Sequence, residues 1–369
     1  MEKSNDYKKY YVTAIVAVLV VAAIFVLESS KPKVSSESSG SNPQGTGSAN
    51  PDSQTKSSGS GLYPKAPELR NIDGWINSEP LTIEGLKGKV VLVDFWTYSC
   101  INCIRTLPYL NSWNEKYAED GLVIIGVHTP EFDFEKDYDN VENAVNKYGI
   151  KFPVALDNHY GTWSNYKNNY WPRKYLIDKD DYIRYDHIGE GGYDETEEKI
   201  QELLKESGKQ VDDNLTDIED QTPTTANTAE LYLGYDTALG RGQNIGSPGG
   251  LDPENQKNYT LGDDLYQNIV YLQGEWVSRS ESVDTTGTDG LLFLQFKAKK
   301  AHIVLDGPAN TVLEVTIDDK PVNTADVLDG KMNIDGPRLY TVYDGPYGIH
   351  TLKIHFNNPG VSVNSFTFG

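Results

Sequence analysis

Cysteine is scarce in this sequence: the 369 residues contain two, Cys100 and Cys103, in a C-x-x-C spacing. No other cysteine remains for a structural disulfide, and a disulfide closing so short a loop would gain little chain entropy. A zinc site is also disfavoured, because zinc normally takes four ligands and the one close histidine pair, His350 and His355, lies far along the chain. The spacing therefore favours a redox-active dithiol.

Positive charge is also in short supply. Lysine and arginine number 33 against 54 aspartates and glutamates, which gives a formal net charge of −21. This balance argues against a nucleic-acid partner, because the phosphate backbone requires basic patches. The length is sufficient for two ordinary domains with additional segments.

The C-x-x-C motif lies between two contrasting patterns. Residues 90–96 are typical of a strand buried on both faces, and residues 104–110 have the spacing of an amphipathic helix. The free N–H groups at the start of that helix would stabilise a thiolate at Cys100, which makes Cys100 the nucleophile and Cys103 the resolving thiol. Asp94, on the strand beneath, is a candidate proton acceptor for Cys103, or alternatively a satisfied polar group at a strand end.

Four segments carry a family resemblance. Residues 88–108 resemble the active-site segment of thioredoxin-like proteins of the TlpA/ResA group. Together with G-V-H-T-P-E-F at 126–132, A-L-D-N at 155–158 and Y-W-P-R-K-Y-L-I-D at 170–178, they resemble the C-terminal periplasmic part of DipZ-type proteins. The resemblance implies an α/β thioredoxin-like domain in which Pro172 is cis and faces the dithiol.

The resemblance also implies partners. Electrons would come from a separate CcdA-type membrane protein, and the substrates would be exported proteins such as methionine sulfoxide reductases or apocytochromes. Between the cysteines, Ile101 and Asn102 replace the Gly-Pro of thioredoxin, and this pair helps to set the reduction potential. No cofactor and no metal are predicted.

Further residues are candidates for supporting roles. Four aromatic residues could form an apolar collar that binds extended substrates: Trp96, Tyr98, Tyr170 and Trp171. Trp96 could equally be core packing. His128 and Glu131 follow a second buried strand at the edge where α/β proteins place their sites, so they could tune the dithiol. The alternative is an ordinary loop histidine and a helix-capping glutamate.

The N-terminal segment predicts membrane attachment. Lys8 and Lys9 precede residues 10–27, an uncharged and mostly apolar run that is just long enough to span a bilayer. We interpret residues 1–28 as a cytoplasmic tip and a single transmembrane signal anchor, with a cleaved signal peptide as the alternative. Residues 29–61 are rich in Ser, Gly, Pro and Asn and are predicted to be a disordered linker.

The rest of the chain divides into two domains. We assign residues 62–208 to the thioredoxin-like domain, including an added hairpin at 69–81, and residues 209–228 to a linker. Short alternating strands are predicted over residues 229–369, among them 291–296, 302–305, 339–343 and 350–356, with turns at Asp306-Gly307, Asp329-Gly330 and Asp344-Gly345. They predict an all-β sandwich, which resembles the jelly-roll, carbohydrate-binding-module-like domain of DipZ-type proteins. A glycan is therefore a possible ligand.

In that all-β domain, three aromatic residues are candidates for stacking on sugars, with core packing as the alternative: Trp276, Tyr343 and Tyr347.

The predicted function is an extracytoplasmic, membrane-anchored thiol–disulfide oxidoreductase that reduces exported proteins. Two alternatives stay open. The same motif could act as a disulfide oxidase or isomerase, or the protein could be a cell-wall or glycan adhesin in which the thioredoxin fold is only a scaffold.

Overall fold

A computed structural model describes residues 62–262 and 264–369. The predicted anchor and the predicted disordered linker lie outside these residues. Within the described part of the chain, every helix is too short or too polar to cross a bilayer.

The first region is built on a mixed sheet of six strands in the order β1-β4-β3-β2-β5-β6. Strand β2 lies at its centre, parallel to β3 and antiparallel to β5, and all seven of its residues are buried, as its apolar sequence predicts. The six strands are β1 (Gly74–Ile76), β2 (Val90–Trp96), β3 (Leu122–His128), β4 (Val154–Leu156), β5 (Arg173–Ile177) and β6 (Ile183–Ile188).

Four helices accompany this sheet. They are α1 (Ile101–Tyr117), α2 (Tyr138–Lys147), α3 (Gly161–Asn165) and α4 (Tyr193–Glu206), with 3-10 turns at Glu84–Leu86 and Asp133–Lys136. The predicted helix after the cysteines is present as α1. The predicted hairpin at 69–81 is wrong, because in that segment only β1 forms a strand and it pairs with the distant β4.

The second region is rich in antiparallel strands and has one short helix, α5 (Tyr235–Gly240). Hydrogen bonds join its eleven strands, with the main path in the order β14-β15-β12-β16-β11-β17-β10-β9-β8. The strands are β7 (Leu231–Tyr232), β8 (Gln256–Tyr259), β9 (Val270–Ser278), β10 (Val283–Thr285), β11 (Gly290–Asp306), β12 (Val312–Ile317), β13 (Lys320–Pro321), β14 (Val327–Leu328), β15 (Lys331–Asn333), β16 (Arg338–Phe356) and β17 (Ser362–Phe368). The predicted β-rich character of this region is confirmed.

Two long strands differ from the predicted short ones. Strands β11 and β16 pair along most of their length, with register shifts at Ala298/Lys300 and Ala301/His302. Such bulges bend a strand without ending it, so each long strand replaces two predicted strands. The predicted turn at Asp344-Gly345 is therefore wrong, whereas Asp329-Gly330 does connect β14 to β15 with positive φ at both residues.

The two regions share a hydrophobic core. Residues 209–228 form neither helix nor strand, and they run along the first region, where the Tyr109 hydroxyl donates to the Ile218 carbonyl at 2.8 Å. Ile101 of α1 and Phe132 of the loop after β3 belong to the same buried cluster as the core of the β-rich region. The β-rich region therefore packs directly against the start of α1.

Candidate active site

Cys100 is the N-cap residue of α1. Its backbone is extended (φ −82°, ψ 112°), and its sulfur accepts a hydrogen bond from the Cys103 backbone N–H at 3.2 Å. This N–H is one of the groups that a helix N-terminus leaves unpaired, so the arrangement stabilises negative charge on the Cys100 sulfur. The strand-to-helix junction is therefore where the spacing predicted it.

The two thiols differ in exposure. Both are free, but Cys100 is partly exposed whereas Cys103 is buried. Burial raises the pKa of the Cys103 thiol well above its usual value, and the hydrogen bond and charge of Cys100 raise it further. This difference fits an exposed attacking thiol and a buried resolving thiol.

A buried ion pair lies beneath the dithiol. Asp94 and Lys174 are direct cross-strand partners in β2 and β5, and Lys174 Nζ lies 4.0 Å from Asp94 Oδ1. Burial raises the pKa of Asp94 to about 7, although the Lys174 charge opposes this rise; burial likewise lowers the pKa of Lys174. The charge of Asp94 also raises the pKa of the Cys103 thiol, so the carboxyl lies in the electrostatic surroundings of the dithiol.

The sequence prediction named Asp94 but missed Lys174. Its pairing depends on the register between strands about eighty residues apart, which local patterns do not reveal. The signal that could have found it is a lysine directly followed by the buried Tyr-Leu-Ile of β5.

The peptide bond between Trp171 and Pro172 is cis, as the resemblance implied. It directly precedes β5, the neighbour of β2, so it lies at the sheet end that leads into the cysteine loop. Trp171 packs against the same apolar cluster as Cys100, and its indole N–H donates to the Thr129 carbonyl at 3.1 Å. The structure thus brings Trp171 and Pro172 to the dithiol end of the sheet.

The predicted aromatic collar is only half correct. Trp96 and Tyr98 are buried, with 1% and 3% of their surface exposed, so they are core residues and cannot contact a substrate. Tyr170 is 49% exposed and Trp171 is partly exposed. Of these two residues, Trp171 packs against the same cluster as Cys100.

His128 lies under the cysteine loop. It is fully buried at the end of β3, its ring stacks on Tyr98 and its Nε2 is 3.3 Å from the Thr97 hydroxyl. Burial lowers the pKa of His128 to about 3, so the imidazole is neutral at physiological pH. His128 therefore supports the loop as a neutral packing group.

Glu131 points towards the β-rich region. Its carboxylate accepts a hydrogen bond of 2.5 Å from the Tyr232 hydroxyl, which also donates to Glu230 at 2.9 Å. Glu135, which the sequence analysis missed, accepts hydrogen bonds from both the backbone N–H and the hydroxyl of Ser99. Of the two glutamates, Glu135 is thus the one bonded to the cysteine loop.

The aromatic residues considered for sugar stacking are largely internal. Trp276 is fully buried and Tyr343 is 7% exposed, which matches the core-packing interpretation. Tyr347 is 40% exposed, but its hydroxyl bonds to the Ala226 carbonyl and Lys297 Nζ lies over its ring. With two of three candidates in the core, these residues do not form an exposed aromatic platform.

Comparisons with known proteins agree with this geometry. Residues 65–204 match the Redoxin family, and residues 228–369 match the family described as thioredoxin like C-terminal domain. The thiol-disulfide oxidoreductase ResA of Bacillus thuringiensis is 35% identical over 130 residues, which are 35% of this chain and 70% of ResA. The chain therefore belongs to the thioredoxin-like family that includes ResA.

The similarity to a second relative extends over both regions. The DipZ protein of Mycobacterium bovis is 38% identical over 312 residues, which are 82% of this chain and 43% of DipZ. The chain thus spans less than half the length of DipZ. Among solved structures, a thiol-disulfide isomerase from Corynebacterium glutamicum aligns at 26% identity with a TM-score of 0.35, over 38% of this chain and 96% of that one.

Proposed function

We propose that this protein is an extracytoplasmic, membrane-anchored enzyme that reduces disulfides in exported proteins through Cys100 and Cys103. The observation that carries the proposal is the partly exposed Cys100 sulfur at the N-terminus of α1, bonded to the Cys103 N–H at 3.2 Å. A thiolate held in this way is ready to attack, and the buried Cys103 is one helical turn away.

The reaction proceeds in two exchanges. The Cys100 thiolate attacks one sulfur of the substrate disulfide, which forms a mixed disulfide and releases the other substrate sulfur as a thiolate that takes up a proton. Cys103, after losing its proton, attacks the Cys100 sulfur and releases the second substrate thiol. The substrate disulfide is reduced, and the Cys100–Cys103 dithiol is oxidised by the same two electrons.

Asp94 is the proposed acceptor of the Cys103 proton. Its carboxyl has a pKa of about 7, so at neutral pH it is partly ionised and can both take up and return a proton. Lys174 opposes the effect of burial by stabilising the ionised carboxylate. Trp171 and Pro172 would hold an extended substrate segment against the dithiol, with Tyr170 as the exposed apolar contact.

The cellular setting follows from the sequence. Residues 10–27 would anchor the chain in the membrane, and we assign the β-rich region to the jelly-roll class. The resemblance to DipZ-type proteins supports a membrane protein of the CcdA type as the source of the electrons. Candidate substrates are methionine sulfoxide reductases and apocytochromes.

One pair of measurements tests the proposed chemistry and its direction. Cys103→Ser should accumulate mixed disulfides with substrate proteins in intact cells, whereas Cys100→Ser should accumulate none. The potential of the wild-type pair, titrated against glutathione, should lie near the thioredoxin value of about −270 mV. A value near about −120 mV would instead make the protein an oxidase. Equal trapping by both variants would refute the assignment of the nucleophile.

The anchor needs its own test. The full-length chain should fractionate with membranes, and removal of residues 1–28 should release it. A full-length chain that is already soluble after export would support signal-peptide cleavage.

A further inference from the structure

Glu135 holds two segments of the chain together. This side chain lies in the turn Asp133–Lys136 and is fully buried. One carboxylate oxygen accepts from the Ser99 backbone N–H at 3.2 Å and the Ser99 hydroxyl at 2.6 Å, and the other accepts from the backbone N–H groups of Glu131 and Phe132 at 2.6 and 3.1 Å. A buried carboxylate with donors on both oxygens is a rigid bridge.

The first of these segments carries the nucleophile. Ser99 directly precedes Cys100, and Cys100 is the N-cap whose sulfur faces the Cys103 N–H. The geometry of an N-cap depends on the backbone immediately before the helix. The bridge from Glu135 to Ser99 therefore sets where the Cys100 sulfur lies relative to the first turn of α1.

The second segment is held by the β-rich region. The Tyr232 hydroxyl donates to Glu131 at 2.5 Å, and the Glu281 carboxylate accepts from the Asp133 backbone N–H at 2.8 Å. Phe132, between these two residues, belongs to the core cluster of the β-rich region. The β-rich region thus contacts three consecutive residues, 131–133, at the start of the turn that carries Glu135.

The β-rich region also reaches the other side of Cys100. Ile101 belongs to that same core cluster, and Ile104 packs against it one turn further along α1. Cys100 is therefore flanked on one side by a loop bonded to Glu135 and on the other by a helix start packed into the β-rich core.

We infer that Glu135 is a positioning residue for the Cys100 nucleophile, and that the β-rich region holds Glu135 in place, so that this region is a working part of the redox site. The inference rests on the proposed function, since it assigns a role to residues around the proposed nucleophile. Glu135 acts through Ser99 and does not touch the substrate.

Two roles of Glu135 can be distinguished, because a role through its charge and a role through its position predict different results. If Glu135 acted only through its negative charge, Glu135→Gln would make the Cys100 thiolate easier to form and Glu135→Asp would change nothing. If it acts by position, the Asp variant keeps the charge but is one methylene too short to bridge both segments. Glu135→Asp is therefore the deciding substitution.

The experiment measures the rate at which iodoacetamide alkylates Cys100 in the full-length, reduced protein at pH 7. We expect Glu135→Asp to slow alkylation by about threefold or more, because the sulfur loses its fixed position at the helix N-terminus. Glu197→Asp is the matched control, since Glu197 is an equally buried, multiply bonded glutamate that has no hydrogen bond to residues 97–100. A wild-type rate in Glu135→Asp would overturn the inference.

Milder variants keep the test open if Glu135→Asp does not fold. Ser99→Ala removes only the 2.6 Å hydroxyl bond to Glu135 and should slow alkylation in the same direction. Tyr232→Phe removes the bond from the β-rich region to Glu131 and should also slow it, whereas Tyr340→Phe, which breaks a Tyr–Asp bond inside that region, should not. Equal rates in the two Tyr variants would overturn the role of the β-rich region.

Alkylation also separates this inference from the proposed function. It is measured on the reduced protein and does not require disulfide exchange. A wild-type protein that forms no Cys100–Cys103 disulfide would refute the proposed function, whereas a redox-active wild type with unchanged Glu135→Asp and Ser99→Ala rates would refute the inference alone.

Discussion

The Tyr232 hydroxyl of the β-rich region donates a hydrogen bond of 2.5 Å to the Glu131 carboxylate of the thioredoxin-like region. Burial and the nearby Glu230 carboxylate together raise the pKa of Glu131 to about 8, although the bond from Tyr232 opposes this rise. At neutral pH the folded protein therefore keeps a proton on this pair of carboxyls, at the contact between the two regions.

This retained proton predicts how stability changes with pH. In the unfolded chain Glu131 loses its proton near pH 4.5, but in the folded chain only near pH 8, so its contribution to stability is lost as pH rises through this window. Between pH 6 and pH 9, the free energy of unfolding of Glu131→Gln should fall by on the order of 2 kcal/mol less than that of the wild type. Urea unfolding at several pH values measures this difference. Glu142→Gln, at an exposed position of α2, is the control. Parallel curves for wild type and Glu131→Gln would contradict the prediction.

Asp94 predicts the pH dependence of mixed-disulfide resolution. Because the pKa of Asp94 is about 7, the ionised acceptor appears as pH rises through 7, and the resolution rate should rise with it. At pH 7 we expect Asp94→Asn to resolve a preformed mixed disulfide about tenfold more slowly, with a flat profile in this range. The rate of substrate release by rapid quenching measures this.

Lys174, the cross-strand partner of Asp94, provides the matched variant. The Lys174 charge lowers the pKa of Asp94, so Lys174→Met should move the inflection of the resolution rate to higher pH while the rate at high pH is retained. If Asp94→Asn keeps the wild-type profile, another group takes the Cys103 proton.

The parts of the site that were predictable are local in sequence. The buried β2, the start of α1 and the C-x-x-C spacing between them all lie within about twenty residues, so their periodicities determine the junction. The cis bond before Pro172 was predictable only through the resemblance to a family, since an X-Pro pair alone leaves the isomer open.

The parts that were missed depend on distant pairings. Lys174 faces Asp94 because of the register of β2 and β5, and Glu135 meets Ser99 because the loop after β3 folds back over the loop after β2. The sequence left Trp96 open between the substrate surface and core packing, and the structure places it in the core. In each case the contact is set by tertiary packing, and sequence periodicity does not encode it.

The hydrogen bonds of Glu197 join α4 to α1 and to the segment 209–228, so we expect this residue to contribute strongly to the free energy of unfolding. This buried carboxylate of α4 accepts from Trp113 Nε1 at 3.0 Å, the Tyr117 hydroxyl at 2.6 Å, Lys116 Nζ at 3.0 Å and the Thr216 backbone N–H at 2.8 Å. Glu197→Ala leaves these donors without their acceptor, and we expect it to cost about 3 kcal/mol in the free energy of unfolding. Glu197→Gln, which keeps one acceptor oxygen, should cost less.

Unfolding in urea measures both Glu197 variants, and Cys100 alkylation in the folded protein should stay at the wild-type rate. Because Thr216 lies in the segment 209–228, Glu197→Ala should also make that segment more susceptible to proteolysis. Unchanged stability would mean that water replaces Glu197 at the four donors.

Because His302 is buried, we expect the protein to lose stability at acid pH. It lies on β11, 3% exposed, with Nδ1 at 3.1 Å from the Thr341 hydroxyl. Burial, helped by the Arg105 charge, lowers the pKa of His302 to about 3. The imidazole of the folded protein therefore stays neutral while that of the unfolded chain takes up a proton near pH 6.5. The stability contribution is therefore complete above pH 6.5 and is lost as pH falls towards 3.

The loss can be isolated with His302→Gln, whose side chain is polar but does not titrate. From pH 7 to pH 5 the wild type should lose about 2 kcal/mol more stability than this variant, because the unfolded wild-type chain alone gains the proton at position 302. Thermal or urea unfolding at the two pH values measures the difference. His159→Gln, at an exposed loop position, is the control and should track the wild type. If His302→Gln loses as much stability as the wild type, the imidazole is protonated in the folded protein, and the core around His302 must then accommodate a charge in spite of Arg105.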